Sequence, residues 1–236
     1  MAEQETSAAQ KKAEAAAPEK VVKAGKDWVA RVKEAKQAGA GRKFEQTWDF
    51  VINLKGLDLK RPENRFSSEV VLPEGRGKEL KVAVISDALT AEAKQSGADL
   101  VIEKVQLEQL AKDRKQAKRI ANEYDWFLGE VALMAQIGKT LGMVMGPRGK
   151  IPKPVPPKAP VKAFVERAKR TVRVVVRDMP VVHVSVGAEK MDEAAVVKNM
   201  EEVYGLVRER LPKGIQNIKS MYIKLTMGKP VKVDVI

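Results

Sequence analysis

Leu80-Lys81-Val82-Ala83-Val84-Ile85, Asp99-Leu100-Val101-Ile102 and Trp126-Phe127-Leu128 are three short apolar runs with little polar alternation, the pattern of strands covered on both faces. Between them lie helical stretches, Leu89 to Ser96 and a long polar one around Leu107 to Tyr124, and another helix is predicted to start at Val131. A β-α-β-α-β alternation of this kind builds a layer of parallel strands with helices packed on it. The run from Gly138 to Pro160 is expected to leave regular structure, because four glycines and six of the twelve prolines fall within it. A short helix, Val161 to Lys169, closes the segment.

On either side the pattern changes to the antiparallel style. Trp48, Phe50, Ile52 and Leu54 alternate with Thr47, Asp49, Val51 and Asn53, the period of a half-buried strand. A helix from Asp27 to Ala40, with Trp28, Val29, Val32 and Ala35 near one face, precedes it, and a second extended piece, Phe66 to Leu72, follows. Past Arg170, Val172, Val174 and Val176 alternate along a strand, Asp178-Met179-Pro180 turns, and Val181 to Val186 runs back, which reads as a hairpin. Asp192 stands where it can cap a helix reaching about Arg210. The last strand, Ser220 to Thr226, directs Met221, Ile223 and Leu225 to a core and Ser220, Tyr222, Lys224 and Thr226 to the other face. The expected fold is α/β in two domains: a split α+β domain from residues 27–74 and 170–236, and an inserted α/β domain from 75–169. Residues 1–26, rich in Ala, Glu and Lys, are expected to form a disordered tail, and the two chain crossings to form a hinge.

Composition narrows the function. The 236 residues carry 44 Lys and Arg against 31 Asp and Glu, a formal charge of +13. With 44% hydrophobic residues the chain can bury one or two cores, and with 32% charged residues and no apolar run near bilayer length no membrane span is expected. The start of the chain lacks the apolar core of a signal peptide, so a cytoplasmic location is expected. There is no Cys and one His, which removes thiolate catalysis, disulfides and zinc or iron–sulfur ligation; neither a metal nor a cofactor is expected.

Gly138-Lys139-Thr140 looks like the end of a phosphate loop, but the glycine needed at position 133 is Leu133. His183 sits in a Val-rich strand beside Ser185, a structural or solvent-facing imidazole rather than a catalytic one. The carboxylates are spread among lysines on helices and read as solvated faces. An enzyme is therefore not expected. The charge is concentrated instead from Gly138 to Arg170, where nine cations meet only Glu166, a local charge of +8. Such a run is either a soluble loop or a contact for a polyanionic backbone. Lys213, Lys219, Lys224, Lys229 and Lys232 make a second basic stretch around a strand whose polar face offers hydroxyls, an aromatic ring and an ammonium, groups that suit RNA.

Gly142-Met143-Val144-Met145-Gly146-Pro147-Arg148-Gly149-Lys150-Ile151-Pro152-Lys153-Pro154 strongly resembles the signature of the ribosomal protein L1 family, the protein of the large subunit's mobile side stalk. Lys43-Phe44-Glu45-Gln46-Thr47 with Asn53-Leu54-Lys55-Gly56-Leu57-Asp58 resembles the family's first block in its archaeal form, and Ser220 through Pro230 its last block. The resemblance covers roughly residues 27–236. It implies a split domain, an inserted domain with a Rossmann-like sheet, and a protein that binds the stalk of large-subunit rRNA near the tRNA exit site. It further implies repression of its own operon through a similar mRNA structure, transient contact with exit-site tRNA, and a monomer within the large ribosomal subunit. The RNA-binding positions it implies are Glu34, Lys43, Phe44, Thr47, Ser220, Thr226, Met227 and Gly228, with a secondary contact through Arg148, Lys150 and Lys153. A free RNA-binding chaperone or regulator outside the ribosome would explain the charge but not the polar strand face joined to a glycine.

Overall fold

A computed structural model describes residues 17–87, 90–157 and 160–235. The chain divides into two units: one takes it up to Gly77 and again from Val172, and the other is Lys78–Thr171.

The first unit is built around strand β1 (Thr47–Leu54), whose burial alternates with period two. β1 is paired antiparallel on both edges, with β8 (Val181–Ala188) on one side and β9 (Ile218–Leu225) on the other. Val51 lies opposite His183 and Tyr222, and Asp49 opposite Ser185 and Lys224. A fourth strand that the sequence pattern did not reveal, β10 (Val231–Val233), pairs antiparallel with β9, giving the order β10-β9-β1-β8. Three residues of Val-Lys-Val are too few for periodicity to register. The two long helices α1 (Ala17–Gly39) and α7 (Glu193–Arg210) supply the apolar cover of this sheet. Trp28, Val32 and Ala35 of α1 join Phe50, Ile52, Ile223 and Leu225 in one buried cluster with Val196, Met200, Val203 and Val207 of α7. Trp28 stacks edge-on against Tyr204 with ring centroids 5.8 Å apart, and its Nε1 donates to the Asp234 carbonyl.

Three expectations are corrected here. Val172–Val176 and Val181–Val186 do not form a hairpin: β7 (Thr171–Val176) pairs with β2 (Phe66–Val71) in a separate two-stranded sheet, while β8 goes to β1. The linking turn lacks the left-handed residues that a tight hairpin requires, and the carbonyl of Pro180 is taken by the Leu54 N–H of β1. Asp192 holds the N-cap position of α7, but its side chain makes no capping hydrogen bond. Helix α1 begins at Ala17, ten residues before the expected Asp27; its Ala, Glu and Lys are strong helix formers. The rest of the expected tail, residues 1–16, lies outside the described residues.

The second unit is a parallel sheet, β4 (Leu100–Ile102), β3 (Val82–Ile85), β5 (Trp126–Glu130) and β6 (Lys153–Val155) in that spatial order. In chain order this is 2-1-3-4, a doubly wound arrangement. Its strands face two cores, as their continuous apolar character requires: Ala83, Ile85 and Phe127 meet Leu107, Leu110, Ile137 and Leu141 on one side. Val82, Val84, Trp126 and Leu128 meet Ala93, Val161 and Val165 on the other. Helices α2 (Thr90–Gln95) and α6 (Val161–Arg170) cover the latter face, and α3 (Lys104–Lys112), α4 (Arg114–Glu123) and α5 (Met134–Met145) the former.

The expected single helix from Leu107 to Tyr124 is two helices. Asp113 ends α3 and caps α4, its carboxylate accepting from the N–H groups of Lys115 and Gln116; an aspartate offers a break this local bond. Residues 138–160 do not leave regular structure throughout either. α5 runs through Gly138 and Gly142 to Met145, because four buried apolar side chains on one face outweigh the glycine penalty. Pro154 lies in β6, an edge strand, where a missing N–H is tolerated.

Asn199 in α7 is fully buried, donating to the carbonyls of Gly75 and Val186, each at 2.8 Å, and accepting from the Glu74 N–H. Asn199→Ala leaves these buried backbone groups unpaired and is expected to cost about 2–4 kcal/mol, seen as a lower midpoint in urea unfolding followed by tryptophan fluorescence.

Candidate nucleic-acid interface

With one face of the β10-β9-β1-β8 sheet covered by helices, the other presents the alternate residues of each strand. Asp49, Val51 and Asn53 of β1, His183 and Ser185 of β8, Tyr222 and Lys224 of β9, and Lys232 of β10 are all partly or fully exposed. The face is rigid because its strands are laddered on both sides of β1. Arg76 reaches it from the end of the first arm, its Nε 3.3 Å from Ser185 Oγ. Burial raises the pKa of Asp49 from its ordinary value, while Lys224, His183 and Arg76 pull it back. The surroundings of this one acid are thus cationic.

At one end of the face β1 and β9 are closed by the Thr47–Thr226 pair. Thr226 Oγ1 accepts from the Thr47 N–H at 3.1 Å and donates to the Thr47 carbonyl at 3.2 Å, and the Thr226 N–H meets the same carbonyl. The hydroxyl keeps one acceptor lone pair for a ligand. Behind it, Gln46 is buried and fixes three segments at once. Its Nε2 donates to the Gly39 carbonyl at the end of α1, its Oε1 accepts from the Met227 N–H, and its own N–H donates to Glu189. Gly228 packs closely against the end of α1: a Cβ there would lie 3.1 Å from Gly39 Cα.

Phe44 and Met227 are 53% and 58% exposed, apolar groups beside a polar face where a base could stack. Lys43 is exposed in the same segment. Ser220, expected on the polar face, is instead buried at the other end of β9, where its hydroxyl accepts from Asn53 Nδ2 at 3.0 Å and the strand register shifts beside it. Glu34 is an exposed residue of α1, paired with Arg31 at 3.1 Å. The structure thus groups Lys43, Phe44, Thr47, Thr226, Met227 and Gly228 at one end, sets Ser220 apart, and holds Glu34 on the helix. Gln46, Asp49 and Arg76 were missed by the sequence reading; only the strand alternation could have pointed to Asp49.

In the second unit the signature cations are largely engaged within the chain. Arg148 donates to Asn122 Oδ1 and to the Val144 carbonyl, and Lys150 Nζ donates to the carbonyls of Ala121 and Tyr124 at the end of α4. Lys153 Nζ sits 4.3 Å above the Trp126 ring. Gly149, at φ 66°, turns the chain so that the Lys150 N–H reaches the Met145 carbonyl.

The model of the ribosomal protein L1p/L10e family matches residues 32–229. The chain belongs to this family. It is 48% identical over 204 residues to the large ribosomal subunit protein uL1 of Methanothermococcus thermolithotrophicus, covering 86% of this chain and 95% of the relative. The proteins of the same name from Methanothermobacter thermautotrophicus and Pyrococcus horikoshii are 46% and 47% identical, covering 86% and 87% of this chain and 96% and 94% of theirs. The family match takes in β1, the whole second unit and β9, so the two arms and the insertion belong together as one family pattern.

Asp49 supplies a prediction with a definite sign. An acid whose pKa is raised on folding costs stability above its folded pKa, and the cost is relieved as pH falls through it. Asp49→Asn is expected to make unfolding less pH-dependent in the acid range just above the ordinary aspartate pKa of about 4. It also removes a negative charge from a cationic face, so affinity for duplex RNA should rise about threefold, ~0.6 kcal/mol for a charge some 7 Å from a phosphate in water. Urea titrations at several pH values and a filter-binding titration check the two parts.

Proposed function

We propose that the protein is a constituent of the large ribosomal subunit, acting in the cytoplasm as a monomer within the ribosome, and that it holds structured rRNA against the open face of its first unit. The observation that carries this reading is the rigid polar face closed by Thr47 and Thr226. It offers an acceptor on Thr226, lysines on β9 and β10, and exposed Phe44 and Met227 at one end. A-form RNA is recognised by such a set, through 2′-hydroxyl and phosphate contacts and by stacking of unpaired bases. Membership of the family and relatives named as large-subunit proteins support it. The family resemblance points to the mobile stalk near the tRNA exit site, with transient contact to the departing tRNA. Repression of the protein's own operon through a similar mRNA structure is the regulatory side of the same face.

Thr226→Ala keeps the charge and removes the hydroxyl. It is expected to weaken binding to stalk rRNA by one to two powers of ten, about 1–3 kcal/mol, with the salt dependence of binding unchanged. Thr226→Ser keeps the hydroxyl and should retain most of the affinity. Footprinting on total rRNA should show one protected segment. Equal loss on stalk rRNA and on an unrelated duplex would show that the face does not read RNA shape.

A further inference from the structure

Helix α4 (Arg114–Glu123) carries cations placed against helix electrostatics. Ala117 and Ala121 face the core, and Arg114, Lys115, Lys118 and Arg119 are exposed on the remaining surface. These four form two like-charged rows, Arg114 with Lys118 and Lys115 with Arg119, each four residues apart, a spacing at which equal charges repel. Arg114 and Lys115 also occupy the first turn, where the helix dipole disfavours cations, and no acid accompanies them there. The nearest carboxylate, Asp113, is committed to the N–H groups of Lys115 and Gln116. Glu123 at the far end is paired with Lys81 at 2.8 Å. Among the described residues none of the four cations has an ion pair or a side-chain hydrogen bond.

The row Arg114–Lys118 advances one further turn to Asn122, whose Oδ1 holds the Arg148 guanidinium at 2.9 Å. The signature segment thus adds its own exposed cation to the end of the row, in steps of about 6 Å along the helix. No large apolar side chain is exposed between residues 114 and 123. A membrane-lying helix needs such a face, and the centre of a protein–protein interface is depleted in charge. A polyanionic backbone needs neither.

We propose that the outer face of α4, through Arg114, Lys115, Lys118 and Arg119, is a second RNA-contact surface, one that takes phosphates without reading sequence. It relocates the contact of the second unit from Lys150 and Lys153, whose ammonium groups serve the fold, to a helix that the signature does not include. The inference goes beyond the reading of the sheet face and does not require that face to bind the stalk.

The test uses the full chain and its K115Q/K118Q/R119Q variant, titrated against an RNA duplex unrelated to rRNA over a range of KCl concentrations. Losing three phosphate contacts should make the slope of log K against log salt shallower by about 2.7, with a tenfold or greater loss of affinity at low salt. The charge-conserving K115R/K118R/R119K variant should keep the wild-type slope. An unchanged slope in the Gln variant overturns the proposal, and so does an equal loss in the charge-conserving variant, which would trace the effect to a disturbed helix. Failure of the wild type to protect an rRNA segment would instead count against the sheet face, since the generic duplex reports charge alone.

Discussion

The double pairing of β1 is the constraint on which the first unit rests. Its neighbours β8 and β9 come from the second arm of the chain, far beyond the insertion. No part of this sheet can therefore be completed until the second unit has been made or bypassed. Once β1 is held on both edges, period two decides the rest: Trp48, Phe50, Ile52 and Leu54 are buried under the helices, and Asp49, Val51 and Asn53 must face the other way. The flat polar surface is thus a consequence of the burial of its reverse side. A one-residue slip would turn every one of these side chains over, which is why the face can be held in a fixed pattern.

Function in this architecture separates geometry from charge. The first unit spends its buried polar groups on geometry: Gln46, Asn199 and Asn217 fix the segments that border the sheet, Asn217 by accepting from the Lys213 N–H and donating to the Lys55 carbonyl. The second unit keeps Arg148 and Lys150 on its own carbonyls and leaves α4 with cations that make no ion pair among the described residues. Helix repulsion of this type weakens a fold slightly, and a counter-charge supplied from outside relieves it.

The glycines of this chain have different physical meanings. Gly228 and Gly39 meet backbone to backbone, and a Cβ on Gly39 would come within 2.7 Å of Leu225 Cδ1. Gly149 supplies a left-handed turn. A Cβ on Gly138 or Gly142 would meet open space, so packing within the chain does not require either glycine.

Local pattern alone determined much of this protein. Thr47–Leu54 and Val82–Ile85 appear as strands with the limits read from their periodicity, and the apolar faces of α1 and α7 fall where helical spacing put them. The basic, cysteine-free composition and the three motif blocks pointed to RNA and to the family. Tertiary structure decided the pairing of β7 with β2 rather than β8, because partner choice depends on which strand edges are vacant in three dimensions. It decided the break at Asp113 and the continuation of α5 through two glycines, because a side-chain bond and a buried face outweigh propensity. It also decided which cations are free. Lys150 and Arg114 are equally basic in sequence, and only the nearness of the Ala121 and Tyr124 carbonyls makes the first a structural group and leaves the second exposed to solvent.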